Sequence, residues 1–196
     1  IPQVKSEAPT FLKLVRDVAD GKAKRDVVVE RLGKPVVEEL QRADSFARKT
    51  GAQLSQQASK IGVLTSKELT EPVFVQLRKV PGLEGLKLKN GVLDFSETTL
   101  ASAANANARK VLQQRFAEAV GWGKGSRKHL LRQELFEILG GKKKANIELT
   151  KTTEKAYEAI RKGLSDALDA KDPGYKKLNQ GYARAIAPIT GVKKAL

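Results

Sequence analysis

Two consecutive helices, each with a single apolar stripe, are the clearest pattern in the chain and lie between Thr150 and Ile189. Apolar side chains recur at 3-4-3 spacing in each helix: Tyr157, Ile160, Leu164 and Ala167 in the first, and Tyr175, Leu178, Tyr182 and Ala185 in the second. This spacing gives each helix one narrow apolar face, as in a coiled-coil seam. Between the stripes, the Asp172 side chain can accept amide hydrogens and Pro173 fits the first position of a helix. The sequence therefore predicts a C-terminal helical hairpin.

Helical periodicity also runs through the first third of the chain. It predicts a short helix that stops at Gly21 and a second helix over residues 22–33, where three successive Val residues also favour a strand. From Pro35 to Ile61, apolar residues at mixed spacings of 3 and 4 predict a bundle or stalk helix. A glycine inside a helix costs about 1 kcal/mol relative to Ala. We therefore expect a kink or a break at Gly51.

Turn and strand signals fill the middle of the chain. Four residues interrupt helix formation there: Pro72, Pro81, Gly82 and Gly85. Asn90 and Gly91 predict a type I′ turn that closes a β-hairpin. This turn pairs residues across the two strands: Leu88 with Leu93, Leu86 with Phe95, and Lys87 with Asp94. The run 73–77 is a candidate third strand, and capture of a partner strand by an exposed hairpin edge is the functional alternative.

Two further helices complete the predicted fold. One follows Ser102 and ends at Gly121, and the other follows Ser126 and stops at Gly140. The fold class we predict is mainly α: a helical bundle or stalk with a C-terminal helical hairpin and a small central β-hairpin. We expect three segments: an N-terminal helical segment or stalk over 1–65, a connector that contains the β-hairpin over 66–101, and a basic C-terminal helical bundle over 102–196.

The excess of positive charge indicates which classes of partner the protein could bind. The chain has 37 Lys and Arg against 22 Asp and Glu, and residues 102–196 alone hold 20 against 9, which is +11 of the total +15. Such an excess favours nucleic acid, an anionic membrane surface or an acidic protein as partner, while a solvated basic surface is the plain alternative. Only 5% of residues are aromatic. This content favours thin helix-on-helix packing over a thick core.

Six cations cluster at a helix start and in the loop after that helix, and they are the candidate nucleic-acid-binding residues: Lys124, Arg127, Lys128, Lys142, Lys143 and Lys144. They would meet phosphates as point charges, assisted by free amides near Ser126. Such contacts favour general affinity over base reading. Trp122 could stack on a base, but a Trp beside glycines at a helix end is more often a packing anchor.

Signals for a reaction centre are weak. The stretch 121–126 has glycines and a Lys without P-loop spacing, and His129 is the only His and is expected at the surface. The chain has no Cys, which excludes disulfides and thiolate chemistry. Asp166, Asp169 and Asp172 suit a solvated helix face and an N-cap as well as a cation site. We predict no catalytic, cofactor-binding or metal-binding residues and a protein that is not an enzyme.

Targeting signals do not fix a compartment. No apolar run approaches the roughly 20 residues that cross a bilayer, so we predict no transmembrane segment, and the first ten residues lack the apolar region of a signal peptide. The sequence begins at Ile1 and contains no Met. We therefore expect a processed product or a piece of a longer polypeptide.

The order of segments from Lys89 onward carries a family resemblance. KNGVLDFSET, the Ala-rich helix after it and IRKGLSDALDAKDPGYKKLNQGYA resemble long helical, coiled-coil structural proteins of tailed bacteriophages and of some bacterial surface stalks. The resemblance implies a virion-associated assembly component, such as a minor head, tail or internal protein, and transfers no active-site residue.

The function we expect is that of a structural or interaction component of a larger assembly, foremost a tailed-phage virion protein. The alternative is a helical module that binds nucleic acid without sequence preference. Expected partners are other subunits in a homo- or hetero-oligomer, with DNA as a further candidate through phosphate contacts. The expected location is the virion or assembled particle, and otherwise the cytoplasm.

Overall fold

The computed structural model describes residues 34–140 and 150–195. In this part of the chain the elements are α1 (Lys34–Lys60), β1 (Val63–Leu64), α2 (Ser66–Arg78), β2 (Lys87–Lys89), β3 (Val92–Asp94), a 3-10 turn (Ala103–Asn105), α3 (Ala106–Val120), β4 (Gly123–Lys124), α4 (Gly125–Leu139), α5 (Lys151–Lys171) and α6 (Pro173–Ala195). The predicted fold class, mainly α with a C-terminal helical hairpin and a small β-hairpin, is confirmed. The predicted helices before residue 34 lie outside the described residues.

The described residues form two compact units. One comprises residues 57–175, and the other combines 34–56 with 176–195. The segments expected from the sequence end instead at residues 65 and 101, and that three-part division stays a prediction.

Helix α5 is the central helix of the 57–175 unit. It packs against α2, α3 and α4. Its predicted apolar stripe is buried: Tyr157, Ile160, Leu164 and Ala167. Because several helices cover α5, burial extends beyond that stripe, and Leu168 is also fully buried. Each fully buried side chain of Leu or Ile size stabilises the fold by about 1.5–3 kcal/mol.

A glycine brings α5 and α2 into backbone contact. A Cβ added to Gly163 would lie 2.4 Å from the Val73 Cα and 2.9 Å from the Pro72 carbonyl oxygen. No side chain fits in that space. The close approach explains why a residue with poor helix propensity stands in the middle of a long helix.

The strand suggested for residues 73–77 is wrong, because this run belongs to α2. Thr65 and Glu68 form a capping box, in which each side chain accepts a hydrogen bond from the other's backbone amide. Leu69, Val73 and Leu77 then recur every four residues and are all buried. The helix continues through Pro72, which does not interrupt it as expected.

The predicted β-hairpin is confirmed. Asn90 and Gly91 both have positive φ, at 51° and 80°, as a type I′ turn requires. Strands β2 and β3 pair in the predicted register, with Leu88 opposite Leu93. Although Lys87 lies opposite Asp94 in the ladder, the ion pair to Asp94 comes from Lys89 at 2.5 Å.

The outer edge of this hairpin is partly occupied. The amide of Leu93 donates to the Gln113 side-chain oxygen at 2.6 Å. This contact ties β3 to α3 and takes up one of the outward amides that a partner strand would need.

Helix α1 continues through Gly51, so of the kink or break predicted there, the break is wrong and the kink stays a prediction. Buried residues recur along it at 4-3-4 spacing: Ala43, Ala47, Thr50 and Leu54. A ring carbon of Tyr182 lies 3.8 Å from the position that a Cβ on Gly51 would take. The glycine therefore leaves room for a tyrosine of α6 within the unit formed by 34–56 and 176–195.

The start of α6 is capped as predicted. The Asp172 carboxylate accepts hydrogen bonds from the amides of Gly174 at 2.7 Å and Tyr175 at 3.0 Å. Pro173 occupies the first helical position. The bond from the Tyr175 amide is the main reason that the pKa of Asp172 is lowered.

Candidate nucleic-acid interface

A short antiparallel ladder fixes the start of α4. Strands β1 and β4 pair with Val63 opposite Lys124. The Gly125 amide then donates to the carbonyls of Ile61 at 3.3 Å and Gly62 at 3.1 Å. A Cβ on Gly125 would lie 2.4 Å from the Ile61 Cβ, so only glycine permits this approach. The residues around Gly125 are therefore held on a rigid support.

Two of the predicted cations are exposed on this support. Lys124 is the last residue of β4, and Arg127 lies in the first turn of α4; both are exposed. Neither forms an ion pair with a carboxylate in the described part of the chain. Arg115 on α3 differs, because it binds Glu118 and Glu134 at 2.9 and 3.1 Å. Lys124 and Arg127 are thus cations that can meet an external anion.

Lys128 has a different role from the one predicted. It is 3% exposed, and its ammonium donates to the backbone carbonyl of Glu118 at 2.7 Å. Glu118 lies in the last turn of α3, where a cation satisfies an open carbonyl and the negative end of the helix dipole. Burial lowers the pKa of Lys128, and the charge of Arg127 lowers it further. This ammonium is buried and bonded within the fold, so Lys128 is not available to a phosphate.

Trp122 is 77% exposed, so its predicted role as a packing anchor is wrong. It stands between Gly121, whose amide donates to the Ala117 carbonyl at 2.9 Å, and the buried Gly123. The Lys128 side chain passes within 3.5 Å of the position that a Cβ on Gly123 would take. The Gly121 hydrogen bond on one side and the pairing of Gly123 with Leu64 on the other therefore hold the backbone that carries the indole.

The surface position expected for His129 is also wrong. His129 is 1% exposed and shares a hydrogen bond of 2.8 Å between its Nδ1 and the Tyr175 hydroxyl. Arg132 donates to the Ser165 hydroxyl at 3.2 Å, and its guanidinium carbon lies 5.9 Å from the centre of the Tyr175 ring. These groups form a buried polar network between α4, α5 and the first turn of α6.

Burial sets the protonation state of this network. It lowers the pKa of His129 to about 4, with the positive charge of Arg132 as the second cause. It also raises the pKa of the Tyr175 hydroxyl to about 12. Both side chains are therefore neutral near pH 7, which suits a structural hydrogen bond in a dry environment.

The remaining predicted site residues are placed as follows. Lys142, Lys143 and Lys144 lie outside the described residues. Helix α4 begins at Gly125, before Ser126, and the Gly125 amide is already bonded within the fold. Asp166 accepts a hydrogen bond from Gln76 at 2.8 Å. Among the residues that the structure describes, no group of three His, Cys, Asp or Glu could hold a metal ion.

Comparison with protein-family models, with curated proteins and with solved structures finds no match for this chain. Among the described helices, none combines the length and apolar character needed to cross a membrane. Functional inference therefore rests on the chemistry of the residues themselves.

Proposed function

We propose that this protein binds nucleic acid through phosphate contacts, without sequence preference, as a component of a larger assembly. The observation that carries the proposal is the exposed pair Lys124 and Arg127 on a rigid support, with no carboxylate partner among the described residues. Cations of this kind displace counterions from a phosphate backbone and so gain affinity.

The charge of the whole chain supports the same partner. An overall charge of +15 attracts a polyanion over a distance and raises the rate of encounter. A single Lys and a single Arg offer charge without an array of side chains arranged to read base edges. The expected binding is therefore general, with similar affinity for unrelated sequences. The run 142–144 remains a candidate for additional phosphate contacts.

The test is the affinity of the full chain for fluorescently labelled duplexes of unrelated sequence over a series of salt concentrations. Each duplex phosphate contact contributes about 0.9 to the slope of log affinity against log salt. Changing Lys124→Gln together with Arg127→Gln should therefore lower that slope by up to about 1.8. The loss should be similar for every sequence, because phosphates are the same in all of them.

A matched double variant tests whether binding depends on this surface or only on the net charge of the protein. Lys155→Gln together with Lys162→Gln removes the same charge from exposed positions of α5. This control should leave the slope nearly unchanged. An equal loss in both double variants would assign binding to overall charge, and an absence of wild-type binding at low salt would refute the proposal. A strong preference for one sequence would exclude the nonspecific mechanism.

A tailed-phage virion is the assembly that the resemblance of the C-terminal segments supports. In that setting the chain would be a minor head, tail or internal protein whose basic surface faces packaged DNA. The regular buried positions of α1, with Thr50 among small and apolar residues, are typical of helices that pack along a seam. Co-fractionation with a DNA-containing particle from the native source is expected, and recovery only as a free protein would contradict this role.

A further inference from the structure

Trp122 is the most exposed large apolar side chain among the described residues. It is 77% exposed, and the next, Leu130, is 62% exposed. The backbone around it is held by the hydrogen bond from the Gly121 amide to the Ala117 carbonyl and by the pairing of Gly123 with Leu64. An indole exposed at this position adds nothing to the core, so its large flat surface is available to a ligand.

The indole lies beside positive charge. Trp122 and Lys124 are both exposed, and only the buried Gly123 separates them in the chain. Alternate residues of an extended chain are about 7 Å apart. Val63, opposite Lys124 in the ladder, is also exposed and adds a small apolar surface. An exposed aromatic side chain thus lies two residues from an exposed cation.

We propose that Trp122 stacks on an unpaired base while Lys124 and Arg127 contact neighbouring phosphates, so that the preferred ligand is single-stranded nucleic acid. The inference rests on the proposed function, because it uses the same two cations, and it specifies the strand class. Bases inside a duplex cover one another's faces, whereas a single strand presents them to an aromatic side chain. Stacking tolerates any base, so it adds affinity without adding sequence preference.

The intrinsic fluorescence of the protein reports on this contact directly, because Trp122 is the only Trp in the chain. The full chain is titrated at one salt concentration with oligo(dT), with an abasic strand of the same length and with a hairpin duplex. The abasic strand keeps the phosphates and removes the bases. Oligo(dT) should quench the fluorescence, and the other two ligands should bind with little quenching.

Substitutions separate stacking from general apolar contact. Trp122→Leu should weaken binding to oligo(dT) roughly five- to 150-fold, the range for loss of one stacked base, and leave duplex affinity unchanged. Trp122→Phe keeps an aromatic face and should retain most of the affinity. Leu130→Ala, at another exposed apolar position, should have no effect. Since Trp122 is exposed, its variants should unfold at the wild-type temperature.

Several results would overturn the inference. Equal quenching by the abasic strand, or an equal loss of single-strand and duplex affinity in Trp122→Leu, would refute base stacking and leave phosphate binding intact. Failure of the wild-type chain to bind any of the three ligands would refute both proposals. A blue shift with vesicles that contain phosphatidylserine, without quenching by oligo(dT), would assign the surface to a membrane instead.

Discussion

At the scale of single residues, the direction of each side chain decides what a cation does in this protein. Arg127 and Lys128 are neighbours in α4, but one is exposed and the other is buried. Successive residues of a helix point about 100° apart, so one can face solvent while the next faces α3. The buried Lys128 ammonium donates to the carbonyl of Glu118, and this hydrogen bond compensates part of the free-energy cost of its desolvation. A cluster of cations in a sequence can therefore combine exposed residues with buried, structural ones.

The buried histidine predicts a specific pH dependence of stability. The pKa of His129 is about 4 in the folded protein, and an unfolded chain has a His pKa near 6.5. The unfolded state therefore binds the proton more readily, so stability is complete above the unfolded pKa and falls as the pH drops towards 4. The full loss from this group is on the order of 3 kcal/mol. Urea unfolding of the full chain at pH 7, 6 and 5 measures the part of this loss that develops above pH 5.

A variant isolates this effect from that of the carboxylates. His129→Gln keeps a polar side chain near the Tyr175 hydroxyl and does not titrate. Its stability should be lower than wild type at pH 7, but it should change less between pH 7 and 5. Parallel stability profiles for the two proteins would show that His129 titrates normally and is not held neutral by burial.

At the scale of secondary-structure elements, the contact between α5 and α2 predicts opposite effects for two glycines. Gly163→Ala should destabilise the protein, because its Cβ would overlap the backbone at Val73 and overpacking costs about 1–3 kcal/mol. Gly181→Ala in α6 meets nothing within 4 Å. It should be neutral or stabilising by up to about 1 kcal/mol, since Ala is the better helix former.

Thermal unfolding of both variants checks this pair. A lower transition for Gly163→Ala and an equal or higher one for Gly181→Ala are expected. If both variants unfolded at or above the wild-type temperature, helix propensity alone would account for them, and the close approach of α5 to Val73 would be refuted.

Local signals were sufficient to predict several elements. The Asn90–Gly91 turn, the Asp172 cap and the stripe of α5 follow from rules that act within a few residues, and all three are confirmed. The run 73–77 was misassigned because β-propensity depends on context, whereas the capping box at Thr65 specifies a helix before the run begins. The break predicted at Gly51 is wrong for a related reason. The helix propensity of glycine is a local property that the sequence shows. The space that Gly51 leaves for Tyr182 depends on tertiary packing, which the sequence does not show.

At the scale of the whole molecule, the candidate site was only partly predictable. Lys124 and Arg127 are predictable as candidates because clustered charge is visible in a sequence, and the structure leaves both exposed. The role of Lys128 and the burial of His129 were missed because α4 buries a largely polar face, where apolar periodicity gives no signal. The exposure of Trp122 depends on how the ladder of β1 and β4 turns the chain, and these strands are distant in sequence. Aromatic character alone predicts burial, so only the fold distinguishes a stacking surface from a core residue.

The most direct test of nucleic-acid binding at this surface is ultraviolet cross-linking of the full chain to a single-stranded oligonucleotide of mixed sequence, followed by peptide mapping. The account predicts cross-linked nucleotides on the segment 121–127, which carries Trp122, Lys124 and Arg127. Lysines 142–144 could add a second cross-linked segment without affecting that result. Cross-links confined to residues outside 121–127, or none under conditions where the chain binds, would contradict the assignment of this surface.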